Sequence, residues 1–146
     1  MAMASGVFGL TLRDILDASQ MAVHVGSDSF VMTLHTDTMT PDFNAWDFYA
    51  DLTNELATAG GYTQNAKTMA NVAVAAAAGF MTFDADDTAW TSATFSSVRG
   101  RVVNDTTIAS DPLIVATTFG ADYSVTAGTF TVQESANGIW RVDYIP

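Results

Sequence analysis

Hydrophobic positions near the start of the chain follow a helical spacing. Within residues 10–21, Ile15 and Leu16 lie three and four positions after Leu12, which places all three side chains on one face of an α-helix. Thr11 is a residue type that caps helix N-termini. The pattern predicts one short amphipathic helix, which ends before the turn-forming residues 26–28.

The next apolar segment alternates with a period of two. Phe30, Met32 and Leu34 occupy every second position within residues 29–36, and His35 belongs to the intervening set. Successive side chains of a strand point to opposite faces of its sheet. The alternation therefore predicts a strand with one buried face, with His35 as a polar surface position on the other.

Residues 37–62 show no regular period. They contain Pro41, five acidic residues, and four aromatic residues between positions 43 and 49, which are Phe43, Trp46, Phe48 and Tyr49. This composition predicts a long ordered loop with one or two helical turns within residues 46–56, held in place by its aromatic side chains. Such a group is more often part of a core than a platform for stacking sugars.

From residue 69 onward, short apolar segments alternate with turn-forming residues. Six candidate strands follow: 69–77, 79–84, 96–104, 112–119, 129–133 and 138–145. The turn-forming residues lie at 84–87, 104–105, 120–122, 127–128 and 137–138. Strands at such short intervals predict a mainly β fold. Within that class we expect a β-sandwich, and a jelly roll is one arrangement of its strands that fits the pattern.

The same alternation predicts which strand residues form the core. They are Phe30, Met32, Leu34, Phe130, Val132, Trp140, Val142 and Tyr144. The alanine run at 75–78 carries conflicting signals, because alanine favours helix whereas the flanking Val74 and Gly79 favour a strand that ends there. We interpret the run as strand.

Length and composition indicate a single folded domain. The chain has 146 residues, of which 49% are hydrophobic, and its mean hydropathy is +0.20, so a core can form and global disorder is excluded. We predict one domain over residues 1–146, an extension at 1–9 followed by the sandwich at 10–146. Charged residues make up only 14%, against about 25% in ordinary domains. A surface with so few charged residues is typical of a protein that is covered by neighbouring proteins, which include copies of the same chain.

The charge that exists is strongly acidic. Sixteen acidic residues oppose five basic ones, and the net charge of −11 argues against direct binding to nucleic acid or to an anionic membrane. The chain has no cysteine, so it forms neither disulfides nor thiolate metal sites. No signal peptide or membrane-spanning run is evident, and we expect a soluble protein made in the cytoplasm.

One acidic segment is the most motif-like part of the sequence. Asp84, Asp86 and Asp87 could offer oxygen ligands to calcium. An EF-hand loop is excluded, because Ala89 replaces its sixth-position glycine and Phe95 its twelfth-position glutamate. An unrelated calcium loop and a solvated turn between strands remain, and the turn is the favoured interpretation.

No residue pattern points to catalysis. His24 and His35 are the only histidines, and neither has the spacing of a metal site. The chain lacks a nucleophile elbow, a phosphate-binding loop and a dinucleotide fingerprint. We therefore expect a protein that is not an enzyme and that has no cofactor and no metal.

Arg99 and Arg101 are the candidate partner-binding residues. They lie two positions apart on a predicted strand, so both side chains emerge from one face as a small positive strip on an acidic protein. Two interpretations stay open at this point. The arginines pair with aspartates of the same chain, or they form a docking strip for an acidic partner surface.

The order of several short motifs resembles a known group of proteins. The motifs are Thr-Pro-Asp-Phe at 40–43, Asp-Phe at 47–48, Leu-Thr-Asn-Glu at 52–55, Gly-Gly-Tyr-Thr at 60–63, Phe-Asp-Ala-Asp-Asp at 83–87 with Trp90, Ser-Asp-Pro-Leu-Ile at 110–114, Phe-Gly-Ala-Asp at 119–122 and Gly-Thr-Phe-Thr-Val at 128–132. Together they resemble small virion structural proteins of tailed bacteriophages. The resemblance covers roughly three quarters of the chain, and it is poorer at residues 1–9 and in the alanine run.

The resemblance implies a structural component of a phage particle without an active site. Within that class we expect a head decoration (cement) protein of the virion, which bridges capsomers and has the major capsid protein as its partner. Many copies would add interface area to every seam of the shell. The alternatives are a tail or head–tail connector protein and, from a different class, a carbohydrate- or receptor-binding module that uses Trp46, Phe48 and Tyr49.

Overall fold

The structure is a computed structural model that describes residues 3–16, 22–77 and 79–143. The described chain is mainly β. Its elements are β1 (Gly6–Val7), α1 (Gly9–Leu16), β2 (Phe30–His35), a 3-10 turn (Tyr49–Asp51), β3 (Lys67–Thr68), β4 (Ala73–Ala77), β5 (Phe80–Asp84), β6 (Thr88–Asp105), β7 (Leu113–Val132) and β8 (Trp140–Asp143). The mainly β class predicted from the sequence is confirmed.

The strands form two antiparallel sheets, as a sandwich requires. The larger sheet has the order β1-β7-β6-β2-β3, and the smaller one has the order β4-β5-β8. All six residues of β2 pair with β6, from Phe30 opposite Asp105 to His35 opposite Gly100. The two longest strands, β6 and β7, form a hairpin whose pairing extends from Asn104 and Leu113 at its turn to Thr88 and Val132 at its open end.

The larger sheet is covered on both faces, and each face has its own core. The first core contains Phe30, Met32 and Leu34 from β2, with aromatic residues from the smaller sheet and from β6. The second core contains Val102 and Leu113, with partly buried aromatic residues of the 37–62 segment packed against it. The predicted ordered loop with a helical turn is confirmed, the turn being the 3-10 turn at Tyr49–Asp51, whereas its position over this face of the sheet does not follow from the sequence.

The hairpin departs from the predicted strands. The sequence predicts separate strands at 112–119 and 129–133 with turns at Gly120 and Ala127, yet β7 is one continuous strand. Gly120 has φ of 78° and Ala127 has φ of 47°, so both adopt the left-handed conformation. This conformation occurs in β-bulges as well as in turns. The turn-forming residues thus kink the strand without ending it.

The N-terminal helix is confirmed in its described part. The prediction covers residues 10–21; α1 spans Gly9–Leu16, and residues 17–21 lie outside the described residues. Thr11 is inside the first turn and is not the cap, and its hydroxyl donates to Asp47 Oδ1 at 3.1 Å. The alanine run is strand as far as Ala77, and the prediction for Ala78 lies outside the described residues.

The core prediction is correct where strands are central and fails at one edge. Phe30, Met32, Leu34 and Val132 are buried, whereas Phe130 and Trp140 are half-buried against the same core. Val142 is 46% exposed, and its predicted burial is wrong. It lies on the edge strand of the smaller sheet, two residues beyond the Trp140 ring that stacks on Phe83. Tyr144 lies outside the described residues.

Candidate functional site

The two arginines predicted to bind a partner are both paired within the chain. Arg99 Nε donates to Asp122 Oδ1 at 2.6 Å, and this side chain is 23% exposed. The Arg101 guanidinium makes a two-pronged contact with the Glu134 carboxylate, and its side chain is only 4% exposed. The surface strip is therefore reduced to Arg99, and a docking role for these arginines stays a prediction.

The acidic segment at 84–87 connects β5 to β6, as the turn interpretation predicts. Asp86 accepts a hydrogen bond from the Asn71 side-chain amide at 2.7 Å, and Asp87 accepts one from the Glu134 backbone N–H at 2.8 Å. These carboxylates hold neighbouring chain segments in place. Across the described ranges, no group of three histidine, cysteine, aspartate or glutamate side chains is gathered in a way that could hold a metal ion.

His35 is a buried residue, and its predicted surface position is wrong. Its side chain is fully buried because β2 is an inner strand and the 53–56 segment runs beside its end. The ring lies 2.9 Å from Thr33 Oγ1 and 3.0 Å from the Thr53 carbonyl oxygen. Burial lowers the pKa of His35, against smaller opposing effects of the Thr53 carbonyl and the Glu55 charge. His24, by contrast, is exposed.

A partly buried hydrogen-bond network around Glu55 joins the aromatic segment to β2. The Glu55 carboxylate accepts from the Tyr49 and Tyr62 hydroxyls, each at 2.6 Å, and from the Asn65 N–H at 3.0 Å. The Tyr62 hydroxyl in turn accepts from the Leu34 N–H at 2.9 Å. Burial, and then the hydrogen bond to Glu55, raise the pKa of both tyrosines. Because every group has a partner, the arrangement serves structure rather than reactivity.

Asp105 is a second buried group that the sequence does not reveal. It lies at the turn end of β6, fully buried, where its Oδ1 accepts from the Thr107 N–H at 2.8 Å and its Oδ2 has no hydrogen-bond partner. Burial raises the pKa of Asp105, and the nearby carboxylate of Asp28 raises it further. The site disfavours the ionised form of this side chain.

The four aromatic residues at 43–49 are partly buried, and three of them pack against the second core. Phe43 packs on Phe8 with ring centroids 5.2 Å apart, and Trp46 and Tyr49 pack against the second core. This is the core interpretation that the sequence favours. A sugar-stacking platform would need these faces to be open to solvent.

The strongest candidate for a contact surface is the open half of the β6–β7 hairpin. We call residues 88–99 of β6 and 117–132 of β7 the β6–β7 arm. Its only charged residues are Arg99 and Asp122, which neutralise each other, although the chain as a whole carries −11. On its surface Tyr123 is 49% exposed and lines a hollow of about 270 Å³ together with Phe119 and Phe130.

Comparisons with known proteins identify no relative of the chain. No protein-family model matches the chain, and neither the curated proteins nor the solved structures include a significant match to it. Over the ranges that the structure describes, no helix has the length and apolar character needed to cross a membrane.

Proposed function

We propose that this chain is a structural component of a tailed-phage particle, a head decoration protein that bridges capsomers and contacts the major capsid protein. The motif order that resembles phage virion proteins supports the class. The observation that carries the proposal is the β6–β7 arm, an exposed surface without net charge on a strongly acidic chain.

The arm has the physical character of a protein contact. Charged side chains lose hydration when an interface forms, so interface centres are depleted in charge and enriched in aromatic residues such as tyrosine. The half-exposed Tyr123 and the adjacent hollow fit that composition. Arg99, at the margin of the arm, is placed to act on the rate of association with an acidic partner surface.

The test is co-sedimentation of the purified chain with phage heads stripped of their decoration and, separately, with stripped tails. We expect saturable binding to heads, and saturable binding to tails alone would instead favour the tail or connector alternative. Arg99→Glu should slow association and weaken binding roughly tenfold, in line with loss of a charge at an interface margin.

Arg141→Glu is the matched control for that variant. Arg141 also pairs with an aspartate on the surface, with Arg141 Nη2 2.7 Å from Asp143 Oδ1, but it lies on β8 of the other sheet. Equal loss of binding in both variants would remove the arm from the contact. Binding to neither particle fraction, together with saturable binding to a host-surface glycan, would discard the structural proposal in favour of the carbohydrate-binding module.

A further inference from the structure

The sequence contains a single aspartate–proline bond, and the structure places it in the turn that joins β6 to β7. This bond, Asp111–Pro112, belongs to the motif at 110–114, to which the proposed function gives no role. In acid, an aspartate–proline bond hydrolyses more readily than other peptide bonds. The aspartate carboxylate can attack its own backbone carbonyl carbon and close a five-membered ring, and the tertiary amide nitrogen of proline takes up a proton more readily as it leaves.

The backbone on the aspartate side of this bond is strained. Ser110 has φ of 70° and Asp111 has φ of 54°, so two successive residues that are not glycine adopt the left-handed conformation. Proline favours extended backbone in the residue before it, which adds to the strain at Asp111. Because cleavage removes the proline restriction, the folded chain raises the free energy of the intact bond relative to that of the cleaved product.

Neighbouring segments keep the turn in this conformation. The Asp111 N–H donates to the Ile108 carbonyl at 3.1 Å, and the Pro112 carbonyl accepts from the Asp105 N–H at 3.0 Å. Pro112 is itself buried and forms a backbone bridge with Phe48. Strain of this kind persists only where the surrounding structure fixes it, and here the chain is held on both sides of the bond.

Two further hydrogen bonds prepare the reacting groups. The Tyr49 N–H donates to the Asp111 carbonyl oxygen at 2.9 Å, so a donor already contacts the oxygen on which negative charge would develop. The Asn65 side-chain amide donates to Asp111 Oδ2 at 2.7 Å and orients the carboxylate. Asn65 is fixed in turn, because its backbone N–H donates to Glu55 Oε1 at 3.0 Å.

We propose that the chain cleaves its own Asp111–Pro112 bond. Asp111 Oδ1 attacks the backbone carbonyl carbon of the same residue and forms a carbon–oxygen bond. The carbon–nitrogen bond breaks, its electron pair goes to the Pro112 nitrogen, and that nitrogen takes a proton from a hydronium ion. Water then opens the cyclic anhydride, so the net reaction adds one water and yields the pieces 1–111 and 112–146. The cleavage concerns the free chain and does not depend on the particle proposed above.

Mild acid favours this reaction. The mechanism needs an ionised Asp111 carboxylate and a proton for the leaving nitrogen, so the rate should rise as pH falls and level off once the carboxylate is protonated. The titratable groups that the structure places beside this site are Tyr49 and, through Asn65, Glu55. The Tyr49 hydroxyl stays protonated throughout, because burial and then the hydrogen bond to Glu55 raise its pKa.

The two pieces stay together after cleavage. The pairing of β6 with β7 extends from Asn104 and Leu113 at the turn to Thr88 and Val132 at the open end, so a break in the turn leaves the hairpin held by its backbone hydrogen bonds. In native mass spectrometry the cleaved protein should therefore have the mass of the intact chain plus one water. Under denaturing conditions it should separate into the two pieces.

The test follows the two pieces by mass spectrometry while the purified full chain is kept in mild acid, under conditions where near-ultraviolet circular dichroism shows that it is folded. The comparison is the same chain at the same pH in urea, where the bond reacts without help from the fold. We expect cleavage of the folded chain to be at least about tenfold faster, because its reacting groups are held in position. Equal or slower cleavage of the folded chain would overturn the proposal.

Two substitutions then test the assigned roles. Asp111→Asn keeps an oxygen for the Asn65 amide but removes the attacking carboxylate, so we expect no cleavage at this bond. Asn65→Ala should slow cleavage of the folded chain roughly tenfold and leave the rate in urea unchanged, because Asn65 acts only by positioning the carboxylate. Asn54→Ala is the matched control, since Asn54 is also a left-handed asparagine but its side chain contacts Thr53, and it should cleave at the wild-type rate. Wild-type cleavage in folded Asp111→Asn, or equal rates in the Asn65→Ala and Asn54→Ala variants, would contradict the mechanism.

Discussion

The two halves of the β6–β7 hairpin show opposite relations between charge and exposure. The half near the turn is buried between β1 and β2, yet it holds Arg101 and Asp105. The arm is far more exposed, yet it carries only the mutually neutralised Arg99 and Asp122. Solvation alone would place charge on the exposed half, because burial of an ion is costly. The buried charges tie chain segments together, whereas the exposed arm carries no net charge, the feature on which the proposed contact with a partner rests.

The largest expected effect lies in the buried half. Arg101→Ala should lower the free energy of unfolding by about 3–5 kcal/mol, because it leaves the Glu134 carboxylate buried without its partner. Chemical denaturation at neutral pH measures this loss. The double variant Arg101→Met with Glu134→Leu removes both charges and should recover most of the stability. If the double variant is as unstable as the single one, the ion pair is not the reason for the loss.

A pH dependence from His35 is the next largest effect. Because its pKa is lowered in the folded state, the unfolded chain binds more protons below the ordinary value of 6.5. Stability should therefore fall as pH decreases from 7 to 5, by at most about 2 kcal/mol from this group. Denaturation of His35→Gln across that range should show a shallower pH slope than the wild type. The matched control is His24→Gln, which removes the exposed histidine.

Asp105 gives an effect of opposite sign. Asp105→Asn should raise the free energy of unfolding at neutral pH by about 1 kcal/mol, because the neutral amide removes an unsatisfied buried carboxylate oxygen and can donate toward Asp28. The raised pKa means that the wild type gains stability from this group as pH falls through it, so the difference between the two proteins should shrink in acid. An Asn variant that is less stable at pH 7 would contradict this account.

The smallest effect is expected in the arm. Thr129→Ala, at an exposed position on β7, should change the free energy of unfolding by less than about 0.5 kcal/mol. Val103 lies in the buried half and is fully buried. Val103→Ala should lower the free energy of unfolding by about 2 kcal/mol, because it leaves a cavity. Equal losses at the two sites would show that the halves do not differ in packing as described.

The sequence predicts what is local and misses what depends on the path of the chain. Alternation in β2 correctly predicts the burial of Phe30, Met32 and Leu34, since the period of a strand is a local property. It cannot predict that the aperiodic 37–62 segment covers the opposite face of the larger sheet. The predicted surface position of His35 is wrong for this reason. A positive φ at Gly120 serves a bulge or a turn equally, so the residue type alone cannot separate the two.

The candidate site follows the same rule. The sequence places Arg99 and Arg101 on one strand, but Glu134 lies 33 residues from Arg101 and no spacing connects them. The Glu55 network is more local, since Tyr49 and Tyr62 lie six and seven residues from Glu55, but its link to the Leu34 N–H spans 28 residues and has no sequence signal. The low charge of the arm, by contrast, is visible in the sequence, because residues 88–99 and 117–132 contain one charged residue each, and a plot of charge along the chain could have found it.

The length of the β6–β7 hairpin has a consequence for the order of folding. Its strands are joined by only the residues between Asp105 and Leu113, so their pairing closes a short loop, whereas the pairing of β2 with β6 joins residues about 70 positions apart. The entropy of loop closure grows with the length of the loop, so we expect the hairpin to form before β2 docks on it. β2 and β3 then add to a hairpin that is already paired, so the larger sheet grows outward from its two central strands.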